Sequence, residues 1–216
     1  GPGQSTGMPE AVFPILLVGL FVVTMPLIVR QAARASARHW QRMQGMADRL
    51  GLELPPVKPV FGLFYPAPRV TGLIRGKRVE VYTYSTGSGK SRKTWSALSA
   101  VPRASGGLTF ALRRQGLGTR LRGMFGAKEI KVGDRIFDEQ WFIETNQPDF
   151  FQAALLSELR AKFSIREGVS PLGAYTLEDG VVKYVEAGSF STDEKCARFE
   201  RLVELVCDLA DVAEVW

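Results

Sequence analysis

An uncharged apolar run over residues 11–29, AVFPILLVGLFVVTMPLIV, is the most regular pattern in the chain. At about 1.5 Å of rise per residue it forms a helix of roughly 28 Å, which matches the ~30 Å hydrocarbon core of a bilayer. Pro14 falls in the first turn, where proline is tolerated, and Pro26 predicts a kink near the far end. A core helix of a soluble protein would keep a polar face. The pattern therefore predicts a transmembrane helix at residues 11–29.

The polar positions after this run are strongly basic. No Lys or Arg precedes the run, and after it arginine recurs at every fourth position: Arg30, Arg34, Arg38 and Arg42. Residues 30–50 are rich in good helix formers and predict a basic juxtamembrane helix. The positive-inside rule places the N-terminus outside and the rest of the chain in the cytoplasm. The four arginines are the candidate membrane-surface contact, through anionic headgroups, or they serve only to fix the orientation of the span.

A cleaved signal peptide is the alternative interpretation of the same run. Ala35-Ser36-Ala37 resembles a small-residue cleavage site. The order of charges is reversed, however, because Glu10 precedes the run and arginines separate it from that site. Residues 1–10 form a leader-like segment, in which residues 1–7 have no periodicity and Met8 is the candidate initiator.

A change in pattern after residue 50 predicts a linker and then a domain rich in strands. Five prolines in residues 51–68 indicate a Pro-rich linker at 51–69, followed by a cytoplasmic domain at 70–216. Alternating apolar and polar positions in the domain predict five strands. They cover residues 77–85, 94–101, 108–114, 129–132 and 140–145.

Two helices and a hairpin complete the predicted order. Asn146-Gln147-Pro148-Asp149 begins a helix that extends to about Phe163. Asp179-Gly180, between runs at 174–177 and 181–185, predicts a tight hairpin. Residues 191–212 predict a final helix with a wide apolar stripe, capped by Ser191 and Glu194. The fold class is therefore α+β: an N-terminal transmembrane helix continuing into a basic helix, then a mainly antiparallel sheet packed by two helices.

Composition narrows the chemistry that the chain can carry. Hydrophobic residues make up 45% and charged residues 23% of the 216 positions, so disorder is not expected. Cys196 and Cys207 are about 16 Å apart along one predicted helix, too far for a disulfide, and unpaired thiols fit a reducing cytoplasm. The one histidine, His39, lies beside the predicted span, so the domain has none for a zinc site or a Ser-His-Asp triad. The TGSGKS run at 86–91 lacks the first glycine of a phosphate loop, because Tyr84 stands there. No cofactor, no metal and no enzymatic activity are expected.

Charge is divided along the chain. Residues 81–128 hold nine basic residues and no acid, whereas residues 129–216 hold nine basic and eighteen acidic residues. The last helix carries an acidic stripe that is expected to face solvent: Glu200, Glu204, Asp208 and Asp211. The glycine-rich loop at 115–128 is a plain hairpin connection or a contact for a partner or lipid, through Arg120, Arg122, Met124 and Phe125. Nucleic acid is not expected as a partner, because the rest of the domain is acidic and lacks a recognised binding motif.

Residues 137–160, FDEQWFIETNQPDFFQAALLSELR, resemble a pattern of uncharacterised bacterial single-span membrane-anchored proteins with a cytoplasmic α+β domain. In that pattern the Phe137-Asp138 pair opens a strand, and a turn and a leucine-rich helix follow; Gly133-Asp134 also fits. The resemblance is best over residues 129–160. It implies a bacterial inner-membrane setting and supplies no catalytic residues.

The sequence therefore favours a non-enzymatic interaction or scaffold protein on a single-span anchor in the bilayer. It would assemble with protein partners, or with copies of itself, at the cytoplasmic face of the inner membrane. The alternative is a module that binds a lipid or another apolar ligand at the inner leaflet.

Overall fold

The computed structural model describes residues 12–114, 128–163 and 172–216, with side chains from residue 19 onward. The chain divides into two compact units. The first comprises the chain up to Trp40 together with Val57–Pro66. The second comprises Gln41–Pro56 and Ala67–Trp216 and contains the sheet, so it is called the sheet unit below.

Helix α1 extends from Val12 to Leu50. The predicted continuation of the apolar run into the basic segment is therefore confirmed. Across the described residues, none of the helices combines the length and the apolarity that a membrane crossing requires. Ala11 and the side chains of residues 12–18, which belong to the predicted span, lie outside the described part. The span at 11–29 stays a prediction.

One antiparallel sheet of eight strands forms the centre of the described sheet unit. The strands are β1 (Arg69–Ile74), β2 (Lys77–Thr86), β3 (Lys93–Val101), β4 (Phe110–Arg114), β5 (Lys128–Ile130), β6 (Trp141–Thr145), β7 (Ala174–Glu178) and β8 (Val181–Ala187). Their spatial order is β1-β2-β3-β8-β7-β4-β6-β5. The hairpin of β7 and β8 thus lies between β3 and β4, and a 3-10 turn at Gly89–Ser91 joins β2 to β3.

Four helices follow α1 in the described chain. They are α2 (Arg135–Gln140), α3 (Pro148–Ala154), α4 (Ser157–Phe163) and α5 (Asp193–Glu214). The single helix predicted up to Phe163 is wrong, because Leu155 has a ψ of 66° and ends α3. The break allows Phe151 to stack on Phe110, with ring centroids 4.6 Å apart, while Phe163 meets Trp141 at 5.4 Å.

The core lies between α5 and one face of the sheet. Strand register places Leu98 opposite Tyr184, and Tyr184 opposite Tyr175, so these side chains share that face. Phe199 of α5 meets the ring of Tyr184 edge-on, with centroids 5.2 Å apart. Cys196 and Cys207 are free thiols buried on the same helix, as expected for small apolar core residues.

The tight turn at Asp179-Gly180 is confirmed. Its two residues have φ of 52° and 72°, the left-handed values that a two-residue hairpin requires. Arg75-Gly76, which was not predicted, makes the same kind of turn between β1 and β2, with φ of 54° and 75°.

The α+β class and the antiparallel sheet are confirmed, and three further local predictions are wrong. Strand β1 was missed because Gly72 interrupts its alternation and it follows the proline-rich segment. Phe137-Asp138 lies in helix α2 rather than opening a strand, since Asp134 caps that helix by accepting from Phe137 N at 3.2 Å. The cap of α5 is Thr192 rather than Ser191, and its hydroxyl accepts from Lys195 N at 3.3 Å.

Candidate functional site

The acidic face of α5 is paired with basic residues of the sheet unit. Arg75, in the turn between β1 and β2, lies against three carboxylates of α5: Glu204 at 3.3 Å, Asp208 at 2.7 Å, and Asp211. Lys77 pairs with Asp211 and Lys162 with Asp208. The hydrogen bond to Asp208 is the largest of the interactions that raise the pKa of Arg75.

This network corrects the expectation that the acidic stripe faces solvent for half of its residues. The side chains of Asp208 and Glu200 are only 16% and 18% exposed, whereas those of Glu204 and Asp211 are 64% and 41% exposed. The cations of this network, Arg75, Lys77 and Lys162, lie outside the basic stretch at 81–128. The network therefore docks α5 on the sheet with cations from other parts of the sheet unit.

The last turns of α1 lie beside the first turns of α5. Arg42 Nε donates to Asp193 at 2.8 Å, and Arg49 donates to Glu200 at 2.8 Å. In each helix the paired residues are seven positions apart, about two turns, so these two segments run parallel. Met43 and Met46 are fully buried in the same turns.

The four candidate membrane-surface arginines therefore have different surroundings. Arg42 is ion-paired within the sheet unit, with 29% of its side chain exposed. Arg30, Arg34 and Arg38 are exposed on α1. Contact of the stripe with headgroups stays a prediction.

A buried charge cluster joins β8 to α5. Glu186 accepts two bonds from Arg198, at 3.1 and 2.6 Å, and one from the hydroxyl of Tyr184 at 3.0 Å. Lys195 lies 3.6 Å from Glu186 and donates to the carbonyl oxygens of Ala187 and Gly188. Glu186, Lys195 and Arg198 are all at most 7% exposed. Burial lowers the pKa of Lys195, while the hydrogen bond to Glu186 raises that of Arg198.

Sequence reasoning missed this cluster, although one signal was present. Glu186 occupies the inward position of an alternating strand, after Val182 and Tyr184. A carboxylate at such a position must find a cation, because an isolated buried charge is strongly disfavoured. The charged groups of the cluster pair with one another, so the cluster stabilises the packing of β8 against α5.

An aromatic corner between α2, α4, β6 and β7 contains unpaired donors. It is formed by Phe137, Trp141, Phe163 and Tyr175, with neighbouring ring centroids 5.2–6.2 Å apart. Trp141 Nε1 and the Tyr175 hydroxyl are buried without a hydrogen-bond partner. Burial also raises the pKa of Tyr175 well above its ordinary value.

A third donor lies next to this corner. Arg160 Nε is buried without a hydrogen bond and lies 3.5 Å from Asp134 Oδ2. Among the described residues these three atoms are the buried side-chain polar atoms that lack a hydrogen bond, although Arg160 Nε is ion-paired with Asp134. All three can donate, so the group that would satisfy them is an acceptor such as a carbonyl, ester or phosphate oxygen.

In the first unit, the segment Val57–Pro66 is held against α1. Tyr65 stacks on Trp40 with ring centroids 5.2 Å apart, and Tyr65 N donates to the hydroxyl of Ser36 at 2.9 Å. The chain turns tightly between Val60 and Phe64, which form an antiparallel bridge. At the tip, Phe61 has a left-handed φ of 51° and is 91% exposed. From the sequence, this segment was predicted only as linker.

Other predicted sites are placed as follows. The candidate loop residues Arg120, Arg122, Met124 and Phe125 lie outside the described residues. The run at 86–91 leads from β2 into β3 through the 3-10 turn at Gly89–Ser91. Within the described residues, no group of three or more His, Cys, Asp and Glu side chains could hold a metal ion.

Comparison with known proteins identifies a solved structure of similar fold. No protein-family model matches the sequence, and no curated protein matches it. The fold is similar to the crystal structure of the mycobacterial trehalose monomycolate transport factor A, TtfA, with a TM-score of 0.52 and 13% identity. The match covers 81% of this chain and 94% of that one. At this identity the likeness shows a shared α+β fold.

Proposed function

We propose that this chain is a non-enzymatic interaction protein, anchored at the cytoplasmic face of a bacterial inner membrane, where it assembles with protein partners. The observation that carries the proposal is the composition of helix α1. It begins in the uncharged run of residues 11–29 and continues through Arg30, Arg34 and Arg38, all of which are exposed. This order favours a span with the following chain on the cytoplasmic side.

The fold neighbour supports the accessory role. TtfA is a transport factor by name, which is compatible with a protein that assists others at a membrane. The buried charged groups of the sheet unit support the same view. Glu186, Lys195 and Arg198 bind one another, so their charges stabilise packing.

Reporter fusions and membrane fractionation test the anchor and its orientation. We expect the full chain to remain in the membrane fraction after alkaline extraction, and a C-terminal fluorescent fusion to be bright while an alkaline phosphatase fusion is inactive. The double variant Leu20→Arg, Val23→Arg should release the chain, because two charges near the middle of the run oppose insertion. Replacing exposed Leu73 and Val215 with arginine is the matched control. An active phosphatase fusion would show the opposite orientation.

The scaffold role is tested by crosslinking in cells followed by purification in detergent. We expect the chain to recover the same partner, or a second copy of itself, at fixed stoichiometry. Repeated recovery of the monomer alone would refute assembly while leaving the anchor intact.

The aromatic corner favours a second candidate function, the binding of an apolar ligand that carries acceptor oxygens. Trp141 and Tyr175 present buried donors without partners, and the surrounding rings offer an apolar environment. Unsatisfied buried donors cost about 1–3 kcal/mol each, which a bound ester or phosphate oxygen would remove. A lipid combines both chemistries.

Native mass spectrometry of the purified chain tests this candidate. A co-purifying lipid should be lost on Tyr175→Phe, which removes the unpaired hydroxyl. Tyr184→Phe is the matched control, because the hydroxyl of Tyr184 already donates to Glu186. Absence of bound lipid from the wild-type chain, or equal loss in both variants, would exclude the corner as its site.

A further inference from the structure

We infer that the turn at Val60–Phe64 is an interfacial foot, which inserts its apolar tip into the headgroup region of the membrane that anchors the chain. This inference rests on the proposed anchor and adds a second contact with the same bilayer. Its partner is a lipid surface rather than a protein.

The first observation is the exposure of the tip. Phe61 is 91% exposed, and Val60 and Leu63 are 51% and 46% exposed. Large apolar side chains clustered in one tight turn are unfavourable in water and indicate a contact surface. Val57, at 38% exposure, extends the same surface.

The second observation is the backbone conformation of the tip. Phe61 has a φ of 51°, in the region that bulky residues rarely adopt, and Gly62 follows with a φ of 69°. Asparagine or glycine would suit the conformation of Phe61 better. A strained and exposed phenylalanine indicates that its side chain is needed at this position.

The third observation is the attachment of the turn to α1. Tyr65 binds Ser36 through its N–H and stacks on Trp40, so the foot is fixed to the basic part of the helix. Ser36 comes seven residues after the apolar run ends at Val29, a rise of about 10 Å along a helix. The headgroup layer extends about 5–8 Å beyond the hydrocarbon core, so insertion of the foot requires the turn to extend a few ångströms from this height back towards the bilayer.

The charges around the foot suit an anionic bilayer. Lys58 is exposed and precedes the tip by two positions in the sequence, and Arg34 and Arg38 are exposed on the helix to which the foot is attached. No acid occurs between Glu53 and Glu80, or between Glu10 and Asp48. Trp and Tyr, represented here by Trp40 and Tyr65, are the side chains favoured at the interface between membrane and water.

Site-directed fluorescence on the full chain tests the inference. Cys196 and Cys207 are 2% and 0% exposed, so a new cysteine at Leu63→Cys can be labelled selectively with an environment-sensitive dye. The labelled chain is reconstituted into vesicles containing anionic lipid, with nitroxide groups on the headgroups of a fraction of the lipids. We expect a blue shift of the dye and quenching by the nitroxide. The matched control is the label at Leu73→Cys, an exposed apolar position in β1, which should show neither effect.

The variant Phe61→Asn separates a lipid contact from a structural role. Asparagine fits the left-handed backbone, so thermal stability should be unchanged or higher, while quenching of the Leu63 label falls. Loss of stability together with quenching would overturn the inference, because Phe61 would then be structural.

Three other results would also overturn it. One is that the label at Leu63 is not quenched although the chain floats with the vesicles. This result would refute the foot without contradicting the proposed anchor. Another is equal quenching at Leu63 and Leu73. The last is a dye shift that changes with protein concentration in detergent and does not respond to the nitroxide on the lipids. That result would show that the turn contacts another copy of the chain. Failure of the chain to float at all would refute the anchor, and the foot with it.

Discussion

Replacing Glu186 with glutamine would remove the carboxylate that holds β8 and α5 together. Arg198 donates two bonds to this carboxylate, at 3.1 and 2.6 Å, and Lys195 lies 3.6 Å from it. Glutamine keeps the shape but leaves Lys195 without its counter-charge, and it leaves Arg198 with only the exposed carboxylate of Glu194, 4.0 Å away. It also points an amide N–H₂ group at donors that need an acceptor.

The expected magnitude follows from burial. The side chains of Glu186 and Arg198 are 5% and 9% exposed, so water cannot compensate the lost charge. Removal of one partner of a buried ion pair costs about 3–5 kcal/mol. For a chain of this size about 2–4 °C is lost per kcal/mol, which gives a fall in melting temperature of about 10 °C. Urea unfolding of wild type and Glu186→Gln, followed by circular dichroism in one detergent, measures the difference.

Two further variants make the test specific. Glu80→Gln removes a carboxylate paired with Arg69, whose side chain is 55% exposed, and should cost less than about 1 kcal/mol. The triple variant Glu186→Leu, Lys195→Met, Arg198→Met removes all three charges of the cluster and should recover much of the lost stability, because apolar replacements of buried ion pairs are often neutral. A loss for Glu186→Gln no larger than that for Glu80→Gln would refute the buried-charge argument.

Three other predictions concern pH and backbone. Burial raises the pKa of Cys207 from about 9 to about 11. Between pH 9 and 11 the folded chain therefore keeps a proton that the unfolded chain releases. The free energy of unfolding then falls as pH rises, by up to about 1.4 kcal/mol per pH unit. In urea titrations over this pH range, Cys207→Ala should make the fall with pH less steep. Asp179→Val should cost about 1–2 kcal/mol, because a β-branched residue resists a φ of 52°, whereas Asp179→Asn should leave the urea midpoint almost unchanged. Gly173→Ala places a Cβ 2.0 Å from the carbonyl oxygen of Val185, so it should lower stability by more than about 2 kcal/mol and weaken amide exchange protection in β7 and β8.

Local periodicity predicted most of the elements, and its failures have physical causes. The strands β2 and β3, the Asp179-Gly180 hairpin and the long helix α5 each carry a signal within a few residues: alternation, a left-handed turn, or a wide apolar stripe. The break at Leu155 has no such local signal. It exists because Phe151 and Phe163 bury against different partners, and that choice belongs to the packing of the corner.

The ion-pair partners of charged residues are also not visible in the local sequence. The acidic stripe on α5 is typical of solvated surface when the helix is considered alone. Arg75 and Lys77 supply them from a hairpin more than a hundred positions earlier. The partners of Glu186 could not be predicted for the same reason, because they become its neighbours only when β8 meets α5.

By itself, the sequence determined the α+β class, the antiparallel pairing, and the apolar run followed by arginines, because hydrophobic period and charge order are properties of consecutive residues. Tertiary structure alone decided three things: where the acidic helix docks, which donors stay unpaired in the aromatic corner, and that Phe61 is held exposed on a turn fixed to α1. Each of these depends on contacts between distant segments, and their free energies arise only when those segments are brought together in the fold.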